Sequence, residues 1–513
     1  MSTAQDQAAA ELPVVVIGAG PIGLAAAAHL VERGLEPLVL EAGDSVGAAI
    51  QEWGHVRLFS PWEFDTDAAA RRLLEPTGWT APPAEVLPTG AELVRDYLAP
   101  LAATAQLAPR IRTNTRAVAV SRRGIDKTRT IGREDHPLFV RTIDGEGFVR
   151  DIEARAIIDA SGTWGRANPL GDSGLAAVGE ADAAPYLTGA LPDVLGRDRA
   201  RFAGKHALVV GMGHSAANTL LSLVELAEAE PGTRVTWAVR GASVARLYGG
   251  GDADGLPARG ALGSRVKQAV QAGVITLVRS FTITKFEVPD GASDPVEVVG
   301  STPDGTQRIA ADVVVAATGF RPDLDMLREV RLEIDASTEA PVKLAPMIDP
   351  NFHSCGTVPP HGENELAHPE KDFYIAGMKS YGRAPTFLMA TGYEQVRSIV
   401  AAIAGDREAA DNVELELPET GVCSTNLPGE DEAGGCGSSC GTTAEPVAVQ
   451  PVAVSSCGSG AEAGPSSCGT ADAPVAEAGS CCGSSAPEPV KIGVGFATGL
   501  PNGLAGAIER GDA

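Results

Sequence analysis

The run VVVIGAGPIG at residues 14–23 sets a β-branched strand against a glycine-rich turn that opens an alanine-rich helix. Val14 to Ile17 form an unbroken apolar stretch, as expected of a parallel strand covered on both faces. The helix reads PIGLAAAAHLVERG and closes at Gly34. A second strand, PLVLE, ends on Glu41. Strand, turn, helix and strand in this order make a βαβ unit, the building block of an open parallel sheet.

The glycines carry chemistry. Gly18, Gly20 and Gly23 fall in the G-x-G-x-x-G pattern, with Pro21 at the first helical position. Gly18 makes the tight turn, Gly20 lets the backbone approach a pyrophosphate, and Gly23 lets the helix pack on the strand. Glu41 is spaced to hydrogen-bond a ribose. Residues 205–240 repeat the plan: HALVVG is a strand, GMGHSA supplies Gly211, Gly213, Ser215 and Ala216, and RVTWAVR is the next strand. That strand ends in Arg240, with Arg246 close behind. A carboxylate favours a free 2′-hydroxyl, whereas an arginine suits a 2′-phosphate. The expected cofactors are therefore FAD at the first loop and NADPH at the second, linked by hydride transfer.

A second echo supports internal duplication. ARAIIDASG at 154–162 matches ADVVVAATG at 311–319, and alternating strands with Asp-Gly turns at Asp144 and Asp304 precede each. The predicted fold is α/β, with two Rossmann-like three-layer nucleotide-binding domains, the NAD(P) domain inserted into the FAD domain. Residues 1–12 are expected to be a disordered N-terminus. The FAD domain takes 13–200 and 321–405, and the NADPH domain 201–320. The return segment contains DFYIAGMKSYG and a helix from about Thr386 to Ala404. From 406 to 490 the chain is Pro, Gly, Ser, Ala and acids, a composition that cannot offset its ordering entropy, so a disordered tail is predicted. Residues 491–513 are less polar and read as a docking segment.

The order GAGPIG, Glu41, ASG at 160–162, GMGHSA and ATGFRPD at 317–323 resembles the two-dinucleotide-binding-domain flavoproteins over residues 13–404. Three stretches, SVGAAIQEWGHVRLFSPW, LPTGAELVRDYLAPLA and FAGKHALVVG, look most like flavin-containing monooxygenases and their actinobacterial relatives, some associated with arsenic-resistance gene sets. The resemblance implies that Gly162 and Gly377 approach the flavin, that Gly319 lies at the domain junction, and that Trp53, His55, Arg57, Phe59 and Trp62 line the pocket above it. Arg57 would seat a planar or anionic substrate. The monooxygenase signature F-x-G-x-x-x-H is met at Phe202 and Gly204, but Leu208 stands in place of the histidine. No general acid, base or nucleophile is assigned.

Seven of the eight cysteines lie at or beyond Cys423, and no C-x-x-C occurs anywhere. The vicinal pair Cys481 and Cys482 suits capture of a thiophilic metalloid substrate, and Cys355 is a further substrate candidate. His353, His361 and His368 fit no zinc spacing, and no metal is expected. A net charge of −25 argues against nucleic acid and against a basic membrane helix. The start MSTAQDQAAAELP lacks a basic n-region, so a cytoplasmic protein, here read as a homodimer, is expected. Three activities remain open: a monooxygenase, a thioredoxin-reductase-like or metalloid reductase using tail thiols, and a thiol-based metal-sequestering protein.

Overall fold

The four residues of β1 (Val14–Ile17) are all buried, because the strand lies inside a sheet with helices over it. The structure is a computed structural model that describes residues 12–244, 248, 257–291, 294–351 and 358–415. After β1 come α1 (Pro21–Glu32) and β2 (Pro37–Leu40). Short helical turns lead to β3 (Ile111–Arg112) and an antiparallel meander of β4 (Thr115–Arg122), β5 (Leu138–Asp144) and β6 (Val149–Ala154). The chain then re-enters the first sheet as β7 (Ala156–Asp159). The second half holds β8 (Leu187–Thr188), β9 (His206–Val210), α2 (His214–Ala229), β10 (Arg234–Ala238), α3 (Pro257–Gln271) and β11 (Ile275–Val278). A second meander follows as β12 (Thr282–Glu287), β13 (Val296–Thr302) and β14 (Gly305–Ala311), then β15 (Val313–Ala316). The chain returns to the first sheet through β16 (Phe373–Ile375) and ends on α4 (Met389–Ile403) and α5 (Arg407–Asp411).

The two large sheets have the orders β16-β7-β1-β2-β3 and β11-β10-β9-β15-β8. Every pairing in them is parallel. Each is accompanied by a three-stranded antiparallel sheet. The duplicated α/β plan, one nucleotide domain inserted in the other, is the plan of the structure. Helix α1 is buried from Ile22 to Leu30, since its alanines allow close packing beneath the sheet and against α4. Asp144-Gly145 and Asp304-Gly305 fall at the β5–β6 and β13–β14 turns.

Three boundaries differ from expectation. Strand β8 pairs with β15, and Ala190, Val194 and Phe202 join the second domain's core, so the second domain begins well before residue 201. A two-residue edge strand has no periodicity to reveal it. The closing helix starts at Met389 rather than near Thr386. The ordered body also extends past 406. Asp406 caps α5 by accepting from Ala409 N at 3.1 Å, Ala410 is buried, and Ser398 Oγ donates to Ala410 O at 2.6 Å. Docking on α4 offsets the ordering entropy that composition alone could not. Among the described residues, no helix is long and apolar enough to cross a membrane.

Candidate active site

The first cradle forms where β1 ends. Gly18 has φ +99°, and a Cβ there would meet Ala160 O at 2.8 Å. A Cβ on Gly23 would lie 1.9 Å from Gly18 O, so only glycine lets α1 start so close to the turn. Gly20, by contrast, has nothing within 4 Å on that side. Pro21 opens α1, which has neither a side-chain cap nor an acid in its first turn. Its leading amides are left for an anion. Glu41 is held over the loop: Oε2 accepts from Ala19 N and Oε1 from Gly43 N, both at 2.8 Å. Each oxygen keeps a further lone pair for a hydroxyl. One residue beyond it opens a cavity of about 180 Å³ lined by Ala42, Asn114, Arg116, Ile143, Asp144 and Gly145.

The second cradle repeats this geometry. Gly211 has φ +130°, and a Cβ there would lie 2.0 Å from Ala317 O. Trp237 Nε1 donates to Gly211 O at 2.7 Å and fixes the turn from below. Gly213 opens to free space, and α2 also lacks a cap and first-turn acids. Ala216 is buried against the sheet, Ser215 is half-buried, and Arg240 is exposed beyond the end of β10. Arg246 lies outside the described residues.

The chain crosses between the domains twice, and the crossings run side by side. Asn168 N donates to Gly319 O at 2.9 Å, Asn168 Nδ2 to Thr318 O at 3.1 Å, and Thr318 Oγ1 to Asn168 O at 2.6 Å. Gly319 thus sits in the junction. Trp164 stacks at 4.8 Å from Phe320 and lies 6.4 Å from Trp53, with its Nε1 donating to Glu52 Oε2 at 2.7 Å. Phe59 reaches across to His214, at the start of α2, with ring centroids 5.1 Å apart. Of the aromatic stretch, Trp53 and Phe59 therefore line the junction. Trp62, expected beside a cofactor, is 4% exposed and belongs to the first domain's core. Its apolar surface is satisfied by packing instead. Arg57 is exposed but donates to Leu87 O and lies 4.0 Å from Glu92, so its guanidinium is already engaged.

Gly162 has φ +69° with open space beside it. Gly377 has φ +71°, packs on Ile22 of α1, and donates its N–H to Gln395 Oε1 at 2.8 Å. Gln395 Nε2 in turn lies 3.0 Å from His361 Nε2, while the other ring nitrogen of His361 lies 3.0 Å from Pro359 O. Burial holds the His361 imidazole below its ordinary pKa. His368 accepts from Glu333 N instead, and the two histidines share no centre. Cys355, Cys481, Cys482 and His353 lie outside the described residues.

One group escapes sequence reasoning altogether. Lys379 Nζ lies 2.6 Å from Asp159 Oδ2 and donates to Ser161 Oγ at 3.1 Å. Ser161 donates both Oγ and N to Asp159 Oδ1, at 2.6 and 3.1 Å. The charges lie 220 residues apart in sequence, and no local pattern links them.

Two glycine loops on two parallel sheets, each opening an uncapped helix and joined by a double crossing, define the fold of the two-dinucleotide-binding-domain flavoproteins. Residues 15–143 match the family model described as pyridine nucleotide-disulphide oxidoreductase. Among solved structures, bacillithiol disulfide reductase from Bacillus cereus is 20% identical with a TM-score of 0.57, the match covering 77% of this chain and 99% of that one. An ornithine N-hydroxylase from Kutzneria sp. 744 is 15% identical with a TM-score of 0.52 and the same coverage. A cadaverine monooxygenase from Erwinia amylovora is 13% identical with a TM-score of 0.53, covering 82% of this chain and 99% of that one. No curated protein matches the sequence significantly.

Proposed function

We propose that the chain is an oxidoreductase that binds FAD at the first cradle and NADPH at the second, and acts in the manner of a flavin monooxygenase. The observation that carries this reading is the pair of open, uncapped glycine cradles. Their second strands are followed by different residues, Glu41 and Arg240. A nucleotide ribose on Glu41 would direct its base toward the cavity at Ala42, and the α1 amides would hold the pyrophosphate. Arg240 would hold a 2′-phosphate. A bound flavin would supply the hydride-accepting ring and the electrons for an acceptor. The residues at the junction do the rest. The cluster of Trp53, Trp164 and Phe320 would shield the space between the cradles from water, and Phe59 meets His214 at the start of α2.

The hydroxylase and monooxygenase structures above were solved with FAD, one of them also with NADP+. O₂ is the favoured acceptor, since the chain lacks the C-x-x-C that a dithiol route would need. A second reading is supported by the clustering of seven cysteines beyond residue 422, the vicinal Cys481 and Cys482 among them. In it the electrons go to a thiol-bound metalloid.

The test is anaerobic addition of NADPH or NADH to FAD-reconstituted protein, followed by oxygen or arsenate. The expected result is loss of the flavin's visible absorbance, faster with NADPH, and its return on admitting O₂. Failure to retain FAD, or no loss of absorbance with NADPH, would overturn the reading. Reoxidation by arsenate without O₂, its As(V) taking the two electrons to give As(III), abolished by Ser at the seven tail cysteines, would select the second.

A further inference from the structure

The buried Lys379–Asp159 ion pair lies where the first sheet's topology directs the reactive half of a bound dinucleotide. The sheet order is β16-β7-β1-β2-β3. The glycine loop leaves β1, and Glu41 stands at the end of β2, on one side of it. If the adenosine ribose is held on that side, the other half of the molecule extends the opposite way. It then crosses the carboxyl ends of β7 and β16, the crevice in which open α/β sheets bind ligands. β7 ends at Asp159 and continues as Ala160, Ser161 and Gly162. β16 ends at Ile375 and continues as the short turn Gly377–Tyr381, which carries Lys379. The two side chains are 0% and 1% exposed.

Packing alone does not call for such a pair. Taking two charges out of water is costly, and apolar residues of similar size often serve stability as well or better. Its surroundings give it a further consequence. Ser161 is the exposed residue of the turn, and both charged groups bond its hydroxyl. Both charges are buried, so salt screens them weakly.

We infer that Lys379 and Asp159 are positioning residues that set the reduction potential of the flavin, an inference that rests on the FAD reading above. Hydride transfer from a reduced nicotinamide delivers two electrons and one proton, leaving the nicotinamide oxidised. The flavin side therefore gains one negative charge unless a second proton follows. The Lys379 ammonium favours that charge, and the Asp159 carboxylate opposes it and keeps the ammonium in place. Removing either partner alone unbalances the field, in opposite directions.

The experiment measures FAD content and two-electron midpoint potential for the FAD-reconstituted full chain and for Lys379→Met, Asp159→Asn and Lys379→Arg. Lys379→Met should lower the preference for reduced over oxidised flavin about tenfold, and Asp159→Asn should raise it by a similar factor. For a two-electron couple a tenfold change is about 30 mV. Lys379→Arg, which keeps the charge, should stay near the wild-type potential. A merely structural clamp predicts something else: weaker FAD retention in both neutralised variants and no opposed shift. Equal potentials, or shifts of one sign, overturn the inference while leaving the FAD reading intact. Should Lys379→Met not fold, the sign for Asp159→Asn decides: a rise supports the inference, and no change or a fall overturns it. Wild-type protein that retains no FAD overturns the FAD reading and this inference with it.

Discussion

At the residue scale, Asp65 is a carboxyl whose surroundings oppose its ionisation. It ends a short helix, Trp62–Asp65, and is fully buried. Ser60 Oγ donates to its Oδ1 at 2.6 Å, while Oδ2 has no hydrogen-bond partner among the described residues. Burial pushes its pKa up from 3.8 to about 7, and the Ser60 bond only partly opposes this. The sign for stability follows from linkage. The unfolded chain releases the proton near 3.8 and the folded chain near 7, so the folded state binds more protons between them. The contribution to stability is complete below the lower value and is lost as pH rises through the window. Chemical denaturation of wild type and Asp65→Asn across that window should show wild type gaining on acidification relative to the variant. The slope should not exceed about 1.4 kcal/mol per pH unit. Parallel pH profiles would mean that Asp65 titrates as an exposed carboxylate. None of this is legible in the stretch SPWEFDTD, because the desolvation comes from residues remote in sequence, such as Tyr393, whose hydroxyl donates to Asp65 O at 2.8 Å.

At the scale of the element, the two strand–loop–helix units separate what a glycine does for the fold from what it does for a ligand. Gly211 combines φ +130° with a blocked Cβ position, 2.0 Å from a backbone oxygen. Gly213 has an open one. Gly211→Ala should therefore cost about 1–3 kcal/mol in stability, read as a lower Tm. Gly213→Ala should leave stability within about 0.5 kcal/mol and raise the KM for NADPH, because its methyl enters the space where a phosphate would approach. Equal Tm losses in the two variants would contradict this division. These loops were the most legible part of the molecule, since their backbone demands fall on single residues at fixed spacing. Trp62 shows the opposite case. A large aromatic in a loop satisfies a pocket or a core equally well in sequence, and only the packing around it decides.

At the scale of the whole molecule, a buried cluster of charges fastens the return segment to the first meander. Glu370 accepts from Arg122 Nε at 2.5 Å and Arg133 Nη2 at 2.8 Å, and from Arg331 N at 3.1 Å. Burial alone would raise its pKa, but the bonds from Arg133 and Arg122 hold it below the ordinary range. Glu370→Gln should cost about 3 kcal/mol, because it leaves two guanidinium groups buried without their counter-charge. Denaturant unfolding should show this as a lower midpoint, and an unchanged midpoint would contradict it. The sequence by itself determined the two glycine cradles, the duplicated α/β plan and the split between an acid after one second strand and an arginine after the other, because each is written in a short span of chain with a fixed period or spacing. Only the tertiary structure decided where the second domain begins, that 407–411 folds onto α4, that Trp62 is core and that Lys379 meets Asp159. Those outcomes depend on which distant surfaces meet and exclude water, and burial energies of that kind leave no local signature in the chain.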